Sequence, residues 1–131
     1  MEQRRADVIR RTAREAQHLE TFAALPGERA MIGRSAASTL QALPGIGAWT
    51  VAEVTFRALG DPDAVSVGDF HLKNVVAFAL AGEPRGTDER MLELLEPWIG
   101  HRARIIRLLE LSGLTPRRFG PRFTSVDRRS M

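Results

Sequence analysis

Apolar residues recur at three- and four-residue steps along most of the chain, the spacing that gathers them on one face of a helix. Val8, Ile9, Ala13, Ala16, Leu19 and Phe22/Ala23 alternate with Arg and Glu and predict a helix over 4–24, stopped by Pro26-Gly27. Met31, Ile32, Ala36, Leu40 and Leu43 predict a second over about 28–42, ended by Pro44-Gly45. A third runs from near Ala48 to about Leu59, before the turn Gly60-Asp61-Pro62-Asp63. Ala64-Val65-Ser66-Val67 reads as short and extended, and Gly68-Asp69 as the start of a fourth helix over 70–81. Thr87 or Asp88 caps a fifth helix carrying Met91, Leu92, Leu94 and Leu95 and closed by Glu96-Pro97-Trp98. A sixth, from about His101 to Ser112, ends at Gly113. No internal repeat is visible. The pattern predicts an all-α class, with one domain over 1–114 and an irregular Arg/Pro-rich tail over 115–131.

Composition narrows the function classes. At 131 residues, 44% hydrophobic and 27% charged, the chain is sized and balanced for one ordinary globular domain. It has no Cys, which excludes a disulfide scaffold, a thiolate zinc site and a cysteine-ligated iron–sulfur cluster. His18, His71 and His101 lie too far apart for metal-ligand spacing. No stretch approaches the roughly 20 apolar residues that span a bilayer, and Met1-Glu2-Gln3-Arg4-Arg5 leads into no apolar run, so a cytoplasmic protein without membrane association is the expectation. The net charge is +3 and the sequence pI about 10.8, and Lys73 is the only Lys. Arg forks suit phosphate, yet a GC-rich coding sequence gives the same Arg bias, so charge permits a nucleic-acid partner without establishing one.

The stretch Leu40-Gln41-Ala42-Leu43-Pro44-Gly45-Ile46-Gly47-Ala48-Trp49-Thr50-Val51-Ala52 carries the most information. Two glycines two apart sit between two helical patterns. Gly lets a phosphate approach the backbone, and the N–H groups at the start of the following helix favour an anion. Ile46 can tuck inward, and Ala52 is small enough for two helices to cross closely. A plain helical corner with a glycine cap is the competing reading. The full pattern makes Pro44, Gly45, Ile46, Gly47, Ala48 and Thr50 candidate DNA-backbone contacts.

Asp69 stands 22 residues after Gly47. Gly-Asp before a helix is most often an N-cap, and a cap is compatible with catalysis because helix N–H groups keep a carboxylate ionised. Asp61 and Asp63 are expected to cap their turn or face solvent, Glu53 to lie on a solvated helix face, and Trp98 to be a packing residue. Gly100-His101-Arg102 opens a helix, where its groups could meet phosphate, Asp69 or solvent.

The hairpin, the Gly- and Pro-containing loop 60–68 and Asp69 together resemble the helix-hairpin-helix DNA glycosylase superfamily, strongly over 40–81 and weakly to about 110. Within it the chain is most similar to the alkylated-base (3-methyladenine) glycosylases of the AlkA type. The resemblance implies a bacterial, nucleoid-associated, monomeric enzyme of base-excision repair acting on double-stranded DNA that contains damaged bases. It implies Asp69 as the catalytic carboxylate, which stabilises positive charge on the deoxyribose and orients the attacking water. Bifunctional members place a Lys where this chain has Trp49. Indole is no nucleophile, so the resemblance implies a monofunctional hydrolase, with Trp49 as a wall of the base pocket. It implies no required cofactor and no iron–sulfur cluster. A Na+ or K+ ion is implied on the backbone carbonyls of Gln41, Leu43 and Gly45. His71 matches a His of some members, with no role assigned. The family's other half, which closes the pocket and supplies the wedge, has no counterpart before the hairpin here. The chain alone is therefore expected to be a poor enzyme, with apolar surface exposed on helices 4–24 and 88–96. The alternatives are a non-catalytic helix-hairpin-helix module and an inactive fragment.

Overall fold

The computed structural model describes residues 2–116. Those residues form seven α-helices, one 3-10 turn and no strand. The helices are α1 (Glu2–Arg14), α2 (Ala16–Ala24), α3 (Arg29–Gln41), α4 (Ala48–Leu59), α5 (Leu72–Ala81), α6 (Asp88–Leu95) and α7 (Arg102–Ser112), with the 3-10 turn at Glu96–Trp98. The all-α class is therefore as expected. Within the predicted tail, Thr115 and Pro116 have no regular structure, and 117–131 lie outside the described residues.

Local chemistry explains most boundaries. The single helix expected over 4–24 is two, broken at Glu15, whose backbone sits at φ −90°, ψ 0°. The Thr12 hydroxyl donates to the Val8 carbonyl at 3.0 Å, a side-chain bond that bends helices, and the Glu15 N–H is shared between the Arg11 and Thr12 carbonyls. The apolar period runs through the break, which is why the pattern hides it. Leu25 is extended, as a residue before proline must be. Thr87 caps α6 by accepting the Arg90 N–H at 3.2 Å. The segment 64–67 is no strand; Val67 N–H donates to the Val65 carbonyl at 2.8 Å, a tight turn.

Two apolar clusters divide the core. Phe22, Ile32, Ala36 and Leu59 join α2, α3 and α4. Leu72, Val76, Met91, Leu95 and Ile106 join α5, α6 and α7, with Trp98 packed against them. Met91 and Leu95 are wholly buried, so α6 does not present the apolar face expected of it. On α1 the expectation holds at Ile9, which is 68% exposed.

The turn after α4 ties the clusters together. Asp61 is buried, not solvated, and its carboxylate accepts the Asp63 N–H at 2.9 Å. A side chain on Gly33 would collide with Asp61, so that glycine lets the turn lie against α3. Asp63 reaches the start of α7, where it accepts the N–H groups of Gly100 (2.8 Å) and Arg102 (3.2 Å). The Arg102 guanidinium completes the contact at 2.8 and 2.6 Å. The Ala103 N–H adds a bond to the Pro62 carbonyl at 3.0 Å. Arg102 thus pairs with Asp63, not with Asp69.

Candidate functional site

The hairpin joins α3 to α4 through 42–47. The Leu43 carbonyl accepts the Ile46 N–H at 3.1 Å, and Gly45 takes φ +98°, a conformation that favours glycine. A side chain on Gly45 would collide with Val8 of α1, so the space above this glycine belongs to the chain's own first helix. Gly47 differs. It is extended at φ −98°, ψ 171°, and a Cβ there would meet nothing within 4 Å. It is also the N-cap of α4 and offers no side-chain cap, so among the described residues the first-turn N–H groups of Ala48, Trp49 and Thr50 receive no side-chain cap. Pro44 and Ala48 are exposed beside it, while Ile46 and Thr50 are half-buried. Of the three carbonyls considered for a monovalent ion, that of Leu43 keeps one lone pair beside its bond to Ile46. The donor set is all hard oxygen, which fits Na+ or K+. Among the described residues no cluster of three His, Asp or Glu could hold a metal.

The 64–71 loop returns the chain to α4 and sets Asp69 beside the hairpin's second helix. One carboxylate oxygen, Oδ1, accepts the N–H groups of His71 (2.7 Å) and Leu72 (2.9 Å) at the start of α5. The other, Oδ2, accepts the indole N–H of Trp49 at 3.1 Å. Burial pushes the Asp69 pKa up. The amides of Leu72 and His71, the Trp49 indole and the neighbouring His71 outweigh it and hold the carboxyl below its ordinary value. A carboxylate has about four acceptor positions, two on each oxygen. Oδ1 is filled and Oδ2 retains one. Asp69 is therefore both a helix cap and a fixed anion, with a lone pair left on the oxygen that Trp49 orients.

A cleft of about 250 Å³ opens beside this carboxylate, between α4, the loop, α5 and α7. Asp69, His71 and Glu53 line it, with Phe56, Val75 and Ile106 as apolar walls. Trp49 is 45% exposed and does not line the cleft. Its placement is that of a hydrogen-bond donor to Asp69. Phe70, 73% exposed, points its ring edge-on to His71.

Glu53, expected on a solvated helix face, is half-buried. Its Oε1 accepts the Ser66 hydroxyl at 2.6 Å, and its Oε2 accepts Arg57 Nε at 3.0 Å and Nη2 at 2.9 Å. The four-residue step from Trp49 puts both on one face of α4, a signal present in the sequence. Asp88, expected only as a cap, accepts the Gly68 N–H at 3.2 Å and pairs with Lys73 at 3.5 Å.

Comparison with known protein families, with curated proteins and with solved structures finds no match to this chain. No helix among the described residues is long and apolar enough to cross a membrane.

Proposed function

We propose that this chain is the hairpin-bearing catalytic part of a monofunctional DNA glycosylase that hydrolyses the N-glycosidic bond of flipped alkylated purines. The observation that carries the reading is the Asp69 carboxylate. It is held ionised by two helix amides and an indole, keeps one free lone pair, and stands at a cleft beside an uncapped hairpin helix. Cleavage of the glycosidic bond develops positive charge at C1′, and a fixed anion stabilises that state. The same lone pair can take a proton from the attacking water as its oxygen bonds to C1′ and the base departs. An alkylated purine already carries positive charge, so it leaves without strong general-acid help. The cleft is smaller than the roughly 300–1,000 Å³ usual for drug-sized ligands, a size suited to a single ring system. Ala48, Trp49 and Thr50 would offer their N–H groups to a DNA phosphate, and the carbonyls of Gln41, Leu43 and Gly45 would hold a monovalent ion that adds positive charge on the same side.

The test is release of free base from a duplex carrying 3-methyladenine or 7-methylguanine. The intact protein should leave an abasic strand that is unbroken until alkali is added. Asp69→Asn should keep DNA affinity and lose release. Release by Asp69→Asn at the unmodified rate, or a borohydride-trapped adduct, would sink the proposal. A non-catalytic backbone-binding module is the second reading, favoured by the uncapped start of α4, which owes nothing to Asp69. DNA binding without base release by the unmodified protein would select it.

A further inference from the structure

We propose that Glu53 is a positioning residue for Asp69, acting through Ser66, so that α4 holds the carboxylate at two points one helical turn apart. The inference rests on the glycosylase reading for its functional meaning and on geometry alone for its structural content.

The upper point is Trp49, whose indole meets the Asp69 side chain. The lower is Glu53, which meets the backbone of the same loop. Ser66 donates its hydroxyl to Glu53 Oε1 at 2.6 Å, and the Ser66 carbonyl accepts the Asp69 N–H at 3.2 Å. Ser66 is thus the single link between a carboxylate on α4 and the main chain of Asp69. The other oxygen of Glu53 is engaged as well, by the Arg57 guanidinium from one turn further along α4.

Residues 64–71 form no helix or strand; Val65 and Val67 pack toward the α5, α6 and α7 cluster, and Ser66 between them is the residue that meets α4. Opposite Ser66, Gly68 is held by Asp88, so the segment hangs between α4 and α6. The bond through Glu53 refers the Asp69 main chain to α4, as the Trp49 indole refers its side chain. The start of α4 is where the hairpin would grip a phosphate. The distance from that phosphate to the sugar carbon under attack is fixed by the DNA, so the distance from the hairpin to Asp69 must match it. Trp49 and Glu53, on one rigid helix face, set that distance. Reacting groups displaced by about 1 Å lose on the order of a hundredfold in rate.

Glu53 also lines the cleft, and its bonds to Ser66 and Arg57 are the ones that bear on the position of the loop.

The decisive variants are Ser66→Ala, which removes the link without changing charge, and Glu53→Gln, which keeps a carbonyl acceptor for Ser66 and removes a charge. The first readout is the titration of the Asp69 carboxyl by carbon NMR in the full chain, which needs no activity. Ser66→Ala should raise the Asp69 pKa toward its ordinary value, because a displaced Asp69 main chain carries its carboxylate away from the α5 amides and the Trp49 indole. Glu53→Gln should leave it unchanged or lower it, since losing a nearby negative charge can only favour the anion. The second readout is single-turnover base release. Ser66→Ala and Glu53→Ala should each slow it about tenfold to a hundredfold with DNA affinity intact, and Glu53→Gln should restore most of the rate. An unchanged Asp69 titration in Ser66→Ala, with the variant folded by circular dichroism, overturns the proposal. So does Glu53→Gln behaving like Glu53→Ala. Absence of base release by the unmodified protein would refute the glycosylase reading, while the titration would still decide the role of Glu53.

Discussion

Asp69 accepts three hydrogen bonds, and they differ in what each can be made to reveal. The two amides belong to the backbone and cannot be deleted without rebuilding α5. The indole can. Trp49→Phe keeps an aromatic ring and removes the donor to Oδ2. The Asp69 pKa should rise, and base release should fall about tenfold or more, in line with a lost hydrogen bond to a charged group of about 1.5–3 kcal/mol. The pH dependence follows from the same bonds. Because the folded-state pKa lies below the ordinary Asp value, the proposed catalytic carboxylate stays ionised as pH falls, and no acid limb from Asp69 should appear above about pH 4. In Trp49→Phe that limb should move upward; a rate profile identical to the unmodified protein's would deny the indole any part in setting Asp69. At this scale the sequence revealed Asp69 and Trp49 separately, through Gly-Asp before a helix and an aromatic beside the hairpin. Their bond was not legible, because it spans 20 residues and depends on how the 60–68 loop folds back. The same applies to Ser66 and Glu53, 13 residues apart.

The hairpin shows how one motif can hold two glycines for unlike reasons. Gly45 has a positive φ and Val8 against it, so Gly45→Ala should cost stability on two counts, roughly 1–3 kcal/mol for the backbone alone. Gly47 has an ordinary φ and open space, so Gly47→Ala should melt near the unmodified protein. Yet a methyl at Gly47 stands where a phosphate would reach the uncapped amides of α4. Its binding to duplex DNA should weaken, and by a similar factor on any sequence, since backbone amides read no bases. Calorimetry on both variants and binding to two unrelated duplexes would check this; equal melting losses for the two glycines would contradict it. Element boundaries at Ala48, Leu59 and Ser112 were readable because a helical period meets a glycine there. The break at Glu15 was not, since it comes from a threonine hydroxyl competing within an uninterrupted apolar stripe.

At the scale of the molecule, Asp63 ties the turn after α4 to the start of α7. Burial raises its pKa, but the Arg102 side chain and the amides of Arg102 and Gly100 lower it further, and the net displacement is downward. A carboxyl whose folded value is depressed lends stability above its unfolded value, about 3.9, and withdraws it as pH falls through the folded value. Asp63 and Asp69 both follow this rule, so the denaturation midpoint should be level near neutrality and drop below about pH 4. Asp63→Asn should flatten part of that drop while lowering stability at neutral pH. A midpoint falling equally steeply in Asp63→Asn would show that the acid sensitivity lies elsewhere. This tie could not be read from the sequence. Asp63 and Arg102 stand 39 residues apart, and each taken alone suits a turn or a helix start.

The seat of Val8 on Gly45 has a consequence for how the chain can vary. Positions 8 and 45 share one small volume though 37 residues separate them. The hairpin is thus completed by a helix that belongs to no recognisable part of the motif. A peptide carrying residues 40–60 alone would reproduce the motif's letters and lack the lid over its left-handed glycine. Changes at the two positions are correspondingly non-additive, because shortening the side chain at 8 alters what a methyl at 45 collides with. A graft of the hairpin onto another scaffold would have to supply a side chain in the place of Val8.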